Sequence, residues 1–245
     1  MGRVWSRHSH RGRALNSVVS RQEHMPRSEH ALEVDKIQKA LVPRLRDLGF
    51  RVRGRIWNRL SSDGLTQVVG VQMGSFDPPG TTYIPGLREN LHGLFTVNLG
   101  VYVPEVAQSH TSGPARSWVS DSYCSLRTRL ARETQQGKDI WWHAKATQAV
   151  IDDVANCIET AALPFFERFS TREKIIAECA GESERCSEFG GPPRIVCAII
   201  LATQGHLDTA RQLLRRQAED GGYHPSHATY VRELARRIGV GDLDG

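Results

Sequence analysis

The sequence lacks the patterns that mark several large classes of protein. No apolar run approaches the roughly 20 residues of a membrane-spanning helix, and the N-terminus has no signal-peptide core. The 5 cysteines include no C-x-x-C pair, so neither a disulfide framework nor a zinc ribbon is indicated, and we expect reduced, mostly buried thiols. These absences predict a cytoplasmic protein with no membrane partner.

The sequence also lacks the common catalytic motifs. It contains no G-x-S-x-G elbow, Walker loop, dinucleotide-binding glycine pattern or H-E-x-x-H helix. Cys124, His143 and Asp139 could be drawn as a nucleophile with its base, but no spacing rule brings them together, and a structural cysteine is favoured. His224 and His227 lack third and fourth metal ligands nearby. We therefore predict no catalytic residue, no metal and no cofactor, and we favour a non-catalytic protein over an enzyme.

The net charge of +5 comes from one end of the chain. Residues 1–28 hold 6 arginines and 1 acidic residue, which leaves 26 basic and 26 acidic residues in the remainder. This segment has no sustained apolar periodicity, so we predict a disordered basic tail. Because the remainder is neutral, nucleic acid is not an expected partner.

The remainder predicts a sheet between helices. Apolar residues at helical spacing predict a first helix from residue 29, and Gly49 should end it. Period-two alternation predicts strands over 50–60, 66–76 and 94–103, with a weaker one over 123–132. The sequence Ser-Ser-Asp-Gly at 61–64 predicts a hairpin turn between the first two strands.

Helical periodicity returns after the strands and continues to the end of the chain. It predicts helices over 150–165, 171–180, 194–220 with a turn at Gly205, and from residue 225. The segment around Gly205 is spaced like one tetratricopeptide hairpin, although a single unit makes no solenoid. We therefore predict an α+β fold: an antiparallel sheet of about four strands packed with helices, followed by a C-terminal helical extension. The predicted divisions are 1–28 (tail), 29–170 (α+β domain) and 171–245 (extension).

Strand alternation separates an apolar face of the sheet from a polar, basic one. Glycines at 70, 74 and 100 on the polar face would leave a shallow recess, and arginines around it could hold a carboxylate or phosphate. The alternative is that this face is solvated, or covered by the C-terminal helices with acidic residues that neutralise the arginines. The candidate ligand-binding residues are Arg53, Arg55, Trp57, Gln72, Asn98, Tyr102, Arg127 and Arg129.

Several of these residues, taken in order, resemble a known family. The pattern comprises Leu48-Gly49-Phe50, Trp57, Gln72, Phe95-Thr96-Val97-Asn98-Leu99-Gly100, Cys124 with Arg127 and Arg129, Trp141-Trp142, and Leu163-Pro164-Phe165-Phe166. Over residues 31–170 it resembles the uncharacterised bacterial family called domain of unknown function 4304. The resemblance supports the fold outline and brings no established activity, cofactor or catalytic residue.

Together these observations favour a cytosolic bacterial accessory or immunity-type protein that acts by binding, with a protein as its partner. The alternative is a binder of a small anionic or phosphorylated ligand, or an enzyme acting on one, at the polar face of the sheet. The sequence does not identify the partner or the oligomeric state.

Overall fold

The computed structural model describes residues 28–74, 90–110, 114–134, 141–180, 191–220 and 224–243, apart from the side chains of residues 179, 180 and 225. Residues 1–27 of the predicted tail lie outside this part of the chain, and so does most of the predicted loop between residues 77 and 93.

One antiparallel sheet forms the centre of the molecule. Its strands are β1 (Arg51–Arg53), β2 (Ile56–Leu60), β3 (Thr66–Met73), β4 (Leu94–Tyr102), β5 (Leu126–Arg129) and β6 (Trp142–His143). The first five lie in the order β1-β2-β3-β4-β5, and β6 pairs with the start of β4. Because β3 occupies one edge of β4, β5 and β6 lie along its other edge.

Helices precede and follow the sheet. They are α1 (Glu29–Asp47), α2 (Pro104–His110), α3 (Gln148–Cys157), α4 (Leu163–Arg168), α5 (Arg172–Ala180), α6 (Pro193–Thr203), α7 (Leu207–Glu219) and α8 (Pro225–Arg237). A π-helical turn (Ile158–Ala162) joins α3 to α4, and 3-10 turns lie at Asp121–Tyr123 and Leu130–Glu133. In the described residues no helix is both long and apolar enough to cross a bilayer.

Helix α1 shows how local sequence sets an element. The Ser28 hydroxyl accepts a hydrogen bond from the Ala31 amide and so satisfies one free donor of the first turn. The helix buries one apolar stripe, and Gly49 follows its end with φ +84°, a left-handed conformation that only glycine adopts without strain. The stripe consists of Val34, Ile37, Leu41 and Leu45.

One large apolar core joins most elements of the described residues. Helices α1, α3 and α4 contribute to it with one face of the sheet, and so do α6, α7 and α8 of the predicted extension. Residues 193–219 form a helical hairpin with a turn at Gly205, as predicted. The α+β class and the helical C-terminal part are therefore confirmed, and the sheet has six strands instead of about four.

Arg172, the first residue of α5, joins the helical extension to the sheet. Its guanidinium donates to both carboxylate oxygens of Glu105 in α2, at 2.6 and 2.9 Å. The same group pairs with the Asp63 carboxylate at 3.1 Å, and the Arg172 amide donates to that carboxylate at 2.7 Å. Asp63 lies in the turn between β2 and β3, so one side chain bridges three parts of the chain.

We predict that Arg172→Ala lowers the free energy of unfolding by about 2–4 kcal/mol, because the Glu105 side chain is only 9% exposed and would lose its cation. The control is Arg194→Ala, which breaks a more exposed pair with Asp220 and should cost less than about 1 kcal/mol. Urea denaturation of the full chain measures both. Equal losses in the two variants would contradict the proposed bridge.

Candidate functional site

The segment predicted as the first strand, 50–60, is a hairpin of two short strands. Gly54 and Arg55 form a two-residue turn in which Gly54 has φ +59°, a conformation suited to glycine at the first turn position. Arg53 pairs directly with Ile56 across this turn, so the two residues share a face. In an uninterrupted strand they would lie on opposite faces, and the alternation expected beyond residue 53 is therefore inverted.

This inversion removes two candidates from the polar face. Trp57 pairs with Val52 and Val69 and is 1% exposed in the apolar core, not on the polar face as predicted. Arg55 turns toward α1, where its guanidinium contacts the Asp35 carboxylate at 2.9 Å and donates to the Ala31 carbonyl at 3.0 Å. Both assignments to the recess were wrong.

The other candidates lie on the predicted face but do not converge on one point. Arg53, Ile56, Gly70, Asn98 and Arg129 form one cross-strand row. Four inter-strand steps of about 4.8 Å separate the ends of this row by about 19 Å at the backbone. The two arginines therefore start from widely separated points of the sheet.

The structure does bring three candidates together, around an acidic residue that was not predicted. The Asn98 amide donates to the Gln72 side-chain oxygen at 2.9 Å and to the Asp121 carboxylate at 3.0 Å. The Arg127 guanidinium lies 3.7 Å from the same carboxylate. The positive charge of Arg127 is therefore already matched within the chain.

Asp121 belongs to a segment that lies across the polar face, and we call residues 119–125 the cover segment. Asn58 in β2 anchors it: the Asn58 amide donates to the Val119 carbonyl at 2.8 Å and its oxygen accepts the Val119 amide at 2.9 Å. Further along, Asp121 lies against Gly70 and Cys124 against Gly100. The glycines provide room for this segment, so the expected open recess is wrong, and a loop covers the face where helices were the expected alternative.

The two remaining candidates complete this face. Tyr102 is 2% exposed beneath the cover segment, in a small apolar cluster with Val68, Val119 and Cys124. Its hydroxyl accepts a hydrogen bond from the Arg116 amide at 3.4 Å. The Arg129 guanidinium lies 5.1 Å from the centre of the Trp141 ring. Both therefore have partners within the chain.

We predict that Gly100→Ala destabilises the protein by about 1–3 kcal/mol, the usual cost of overpacking a filled site. A β-carbon at Gly100 would lie 2.5 Å from the Cys124 sulfur, so the cover segment would have to move. Gly191→Ala is the control, since a β-carbon there meets nothing within 4 Å. Thermal and urea unfolding measure both variants, and a Gly100→Ala protein as stable as the unmodified chain would refute the fit.

The far side of the cover segment forms one wall of a cavity of about 350 Å³. Helix α2 and the N-terminal parts of α6 and α8 form the other walls, and we call this cavity the junction pocket. Its described lining is mostly apolar, with four ring-bearing polar side chains. The lining residues are Val106, Ala107, His110, Tyr123, Cys124, Ser125, Gly191, Pro192, Ile195, Val196, His227 and Tyr230.

Two ionisable groups of the junction pocket have shifted pKa values. Burial lowers the pKa of His110, assisted by Arg237, and burial raises the pKa of Tyr230. The two groups contact each other, Tyr230 Oη to His110 Nδ1, at 3.2 Å. His227 Nε2 lies 3.2 Å from the Gln217 side-chain nitrogen, within hydrogen-bond distance.

Cys124 is not placed to act as a nucleophile. Burial raises the pKa of its thiol far above neutrality, the Asp121 carboxylate adds to this, and the sulfur lies 3.6 Å from the Ser120 carbonyl as a donor. His143 pairs with Leu94 whereas Cys124 lies beside Gly100, six positions along β4 and about 20 Å away. Asp139 lies outside the described residues.

The expectation of reduced, mostly buried cysteines is confirmed for two cysteines and wrong for a third. Cys124 and Cys157 are free and buried, as expected. Cys197 in α6, however, is disulfide-bonded, where a reduced thiol was expected. In the described part of the chain, no cluster of three or more histidine, cysteine or acidic residues could hold a metal ion.

We predict that Cys124 and Cys157 are titratable thiols in the denatured, unreduced protein and that Cys197 is not, because only Cys197 of these three is disulfide-bonded. The native protein should leave Cys124 unmodified by iodoacetamide at pH 8, since the thiol is buried and protonated. Mass spectrometry after alkylation measures both, and the control is the fully reduced, denatured protein, in which all 5 cysteines should be alkylated. Rapid native alkylation of Cys124 would contradict the assignment of an inert thiol.

The part of the chain that holds β4, α2 and the cover segment has a recognisable family pattern. Residues 88–168 match the family model of DUF4304, a domain of unknown function. The match confirms the resemblance over these residues, which run from β4 to the end of α4. No curated protein and no solved structure matches the chain significantly.

The DUF4304 match contains only half of the junction pocket. Val106, Ala107, His110 and the Tyr123–Ser125 wall lie inside the matched residues, whereas α6 and α8 contribute from outside. Sequence patterns did not find this pocket, because His110 and Tyr230 are 120 positions apart. The one available signal was local: His227 and Tyr230 are three apart and so share one face of α8.

Proposed function

We propose that this protein is a non-catalytic binding protein and that the junction pocket is its binding site. One observation carries the proposal: the pocket is a mostly apolar cavity with a few polar side chains, the composition typical of small-molecule sites. Its volume of about 350 Å³ lies at the lower end of the range for such sites.

The chemistry of the lining supports binding over catalysis. The protonated Cys124 thiol is a poor nucleophile, and His227 Nε2 is within hydrogen-bond distance of the Gln217 side-chain nitrogen. No carboxylate or lysine is among the described lining residues. A site of this kind can hold and orient a molecule but offers no activated group to attack it.

The polar face of the sheet is a weaker candidate for anion binding. An anion there would approach the Asp121 carboxylate, which already accepts the Asn98 amide and neighbours Arg127. It would also have to displace the cover segment from Gly70 and Gly100. We therefore place the binding site on the other side of this segment.

The proposal extends to biological context. We propose a bacterial accessory or immunity-type protein that works in the cytoplasm, as the sequence favoured. The disulfide at Cys197 is an observation against this location, because disulfides persist mainly in oxidising compartments. The proposal also includes a protein partner, the class of partner expected from the sequence. In this proposal the molecule bound in the junction pocket regulates the docking of that partner.

Phenol is a suitable first probe of the junction pocket, because it is small, uncharged and aromatic. We predict saturable shifts of the Ala107, Val196 and Tyr230 amide signals in ¹H–¹⁵N spectra of the full chain. Ala107→Phe should abolish these shifts by filling the cavity, whereas Ala228→Phe, at a half-buried position of α8 outside the lining, should retain them.

Tyr123→Ala provides a second variant in case Ala107→Phe perturbs the fold. Tyr123 is 50% exposed, so its removal should leave the fold intact. Because the variant loses one wall of the pocket, its affinity for phenol should be about three- to tenfold weaker. The absence of saturable shifts in the unmodified protein, or undiminished shifts in Tyr123→Ala, would refute the site.

A further inference from the structure

We propose that the ligand of the junction pocket is an uncharged aromatic molecule. This inference rests on the proposed function and specifies the class of molecule that the site would bind. It follows from two properties of the described lining residues, the absence of charged side chains and the presence of several rings.

The first property is the absence of a counter-charge. The described lining contains no aspartate, glutamate, lysine or arginine. Burial shifts the pKa values of Cys124, His110 and Tyr230 toward their neutral forms, and the Cys124 thiol donates to the Ser120 carbonyl. A charged ligand that enters such a cavity loses hydration and meets no opposite charge among the described lining residues, which disfavours its binding.

Charged groups do lie near the pocket, but their contacts direct them elsewhere. The Arg116 guanidinium stacks on the Tyr123 ring, 3.8 Å from the ring centre. Asp121 is engaged by Asn98 and Arg127 on the sheet side of the cover segment. Arg237 is close enough to lower the pKa of His110, yet it lines a separate groove with Glu105. None of the three is among the pocket-lining residues.

The second property is the arrangement of rings. His110 and Tyr230 are nearly parallel, with centres 6.4 Å apart, and His227 lies 6.2 Å from Tyr230 at an angle of 37°. Tyr123 forms part of the opposite wall, and Val106, Ile195 and Val196 contribute apolar surface. Ring centres that interact favourably lie about 4.5–7 Å apart, so His110, Tyr230 and His227 form one group of contacting rings in the pocket wall, a surface suited to an aromatic ligand.

An isosteric series of probes separates charge from shape. Benzamide, benzoate and benzamidine share one ring and one planar substituent but carry charges of zero, minus one and plus one at pH 7.5. Cyclohexanecarboxamide keeps the neutral amide and loses the aromatic ring. Binding of each probe to the full chain would be measured by ¹H–¹⁵N shift titration, with Ala107→Phe to locate it and Ala228→Phe as the matched control.

We expect benzamide to bind at the pocket, with benzoate, benzamidine and cyclohexanecarboxamide each at least about tenfold weaker. If benzoate binds as tightly as benzamide, Arg237 or Arg116 reaches the ligand, and the inference is overturned. Equal binding of benzamidine would overturn it as well. Equal binding of cyclohexanecarboxamide would overturn the aromatic preference.

The result with phenol distinguishes failure of this inference from failure of the proposed function. If phenol shifts the pocket signals and the charged probes bind as well as benzamide, the pocket is a binding site for another class of ligand. If phenol shifts nothing, the junction pocket is not a binding site and both proposals fall.

Discussion

The pairing of Asn58 with the backbone of Val119 is the constraint on which the functional surface depends. It is a reciprocal pair of buried hydrogen bonds, and it holds the cover segment against β2 at the point where Gly70 and Gly100 leave room for Asp121 and Cys124. Leaving either partner buried and unpaired would cost its full desolvation free energy. This one contact therefore closes the polar face of the sheet and at the same time presents Tyr123, Cys124 and Ser125 to the junction pocket.

The pocket depends equally on the docking of the helical extension. Half of its lining lies within the DUF4304 match and half comes from α6 and α8, which follow in the chain. The two halves are joined by the continuous apolar core and by the Arg172 contacts with Glu105 and Asp63. Because neither half encloses the cavity alone, any ligand of this pocket should stabilise the docked arrangement of the extension, by the linkage that applies to every ligand of a folded state.

Sequence patterns predicted the elements well where apolar side chains recur at one uninterrupted period. The stripe of α1 and the alternation of β3 and β4 are both intact, and the correct alternation in β3, β4 and β5 placed Gln72, Asn98 and Arg127 on one face, where they meet. The prediction failed at Gly54, because a two-residue turn inside an apparent strand inverts the alternation and sends Trp57 into the core. It failed again at the glycines, whose vacancies are filled by a segment of the same chain.

The sequence by itself determined the α+β class, the antiparallel order of the first strands and the helical C-terminal part, because these follow from local periodicity and turn chemistry. Tertiary structure alone decided which face is closed, which residues carry the pocket, and that its described lining holds no acidic, lysine or arginine side chain. Each of these properties depends on contacts between distant positions, such as Asn58 with Val119 and His110 with Tyr230. Periodicity reports the side of an element that is buried, but it does not report the partner that buries it.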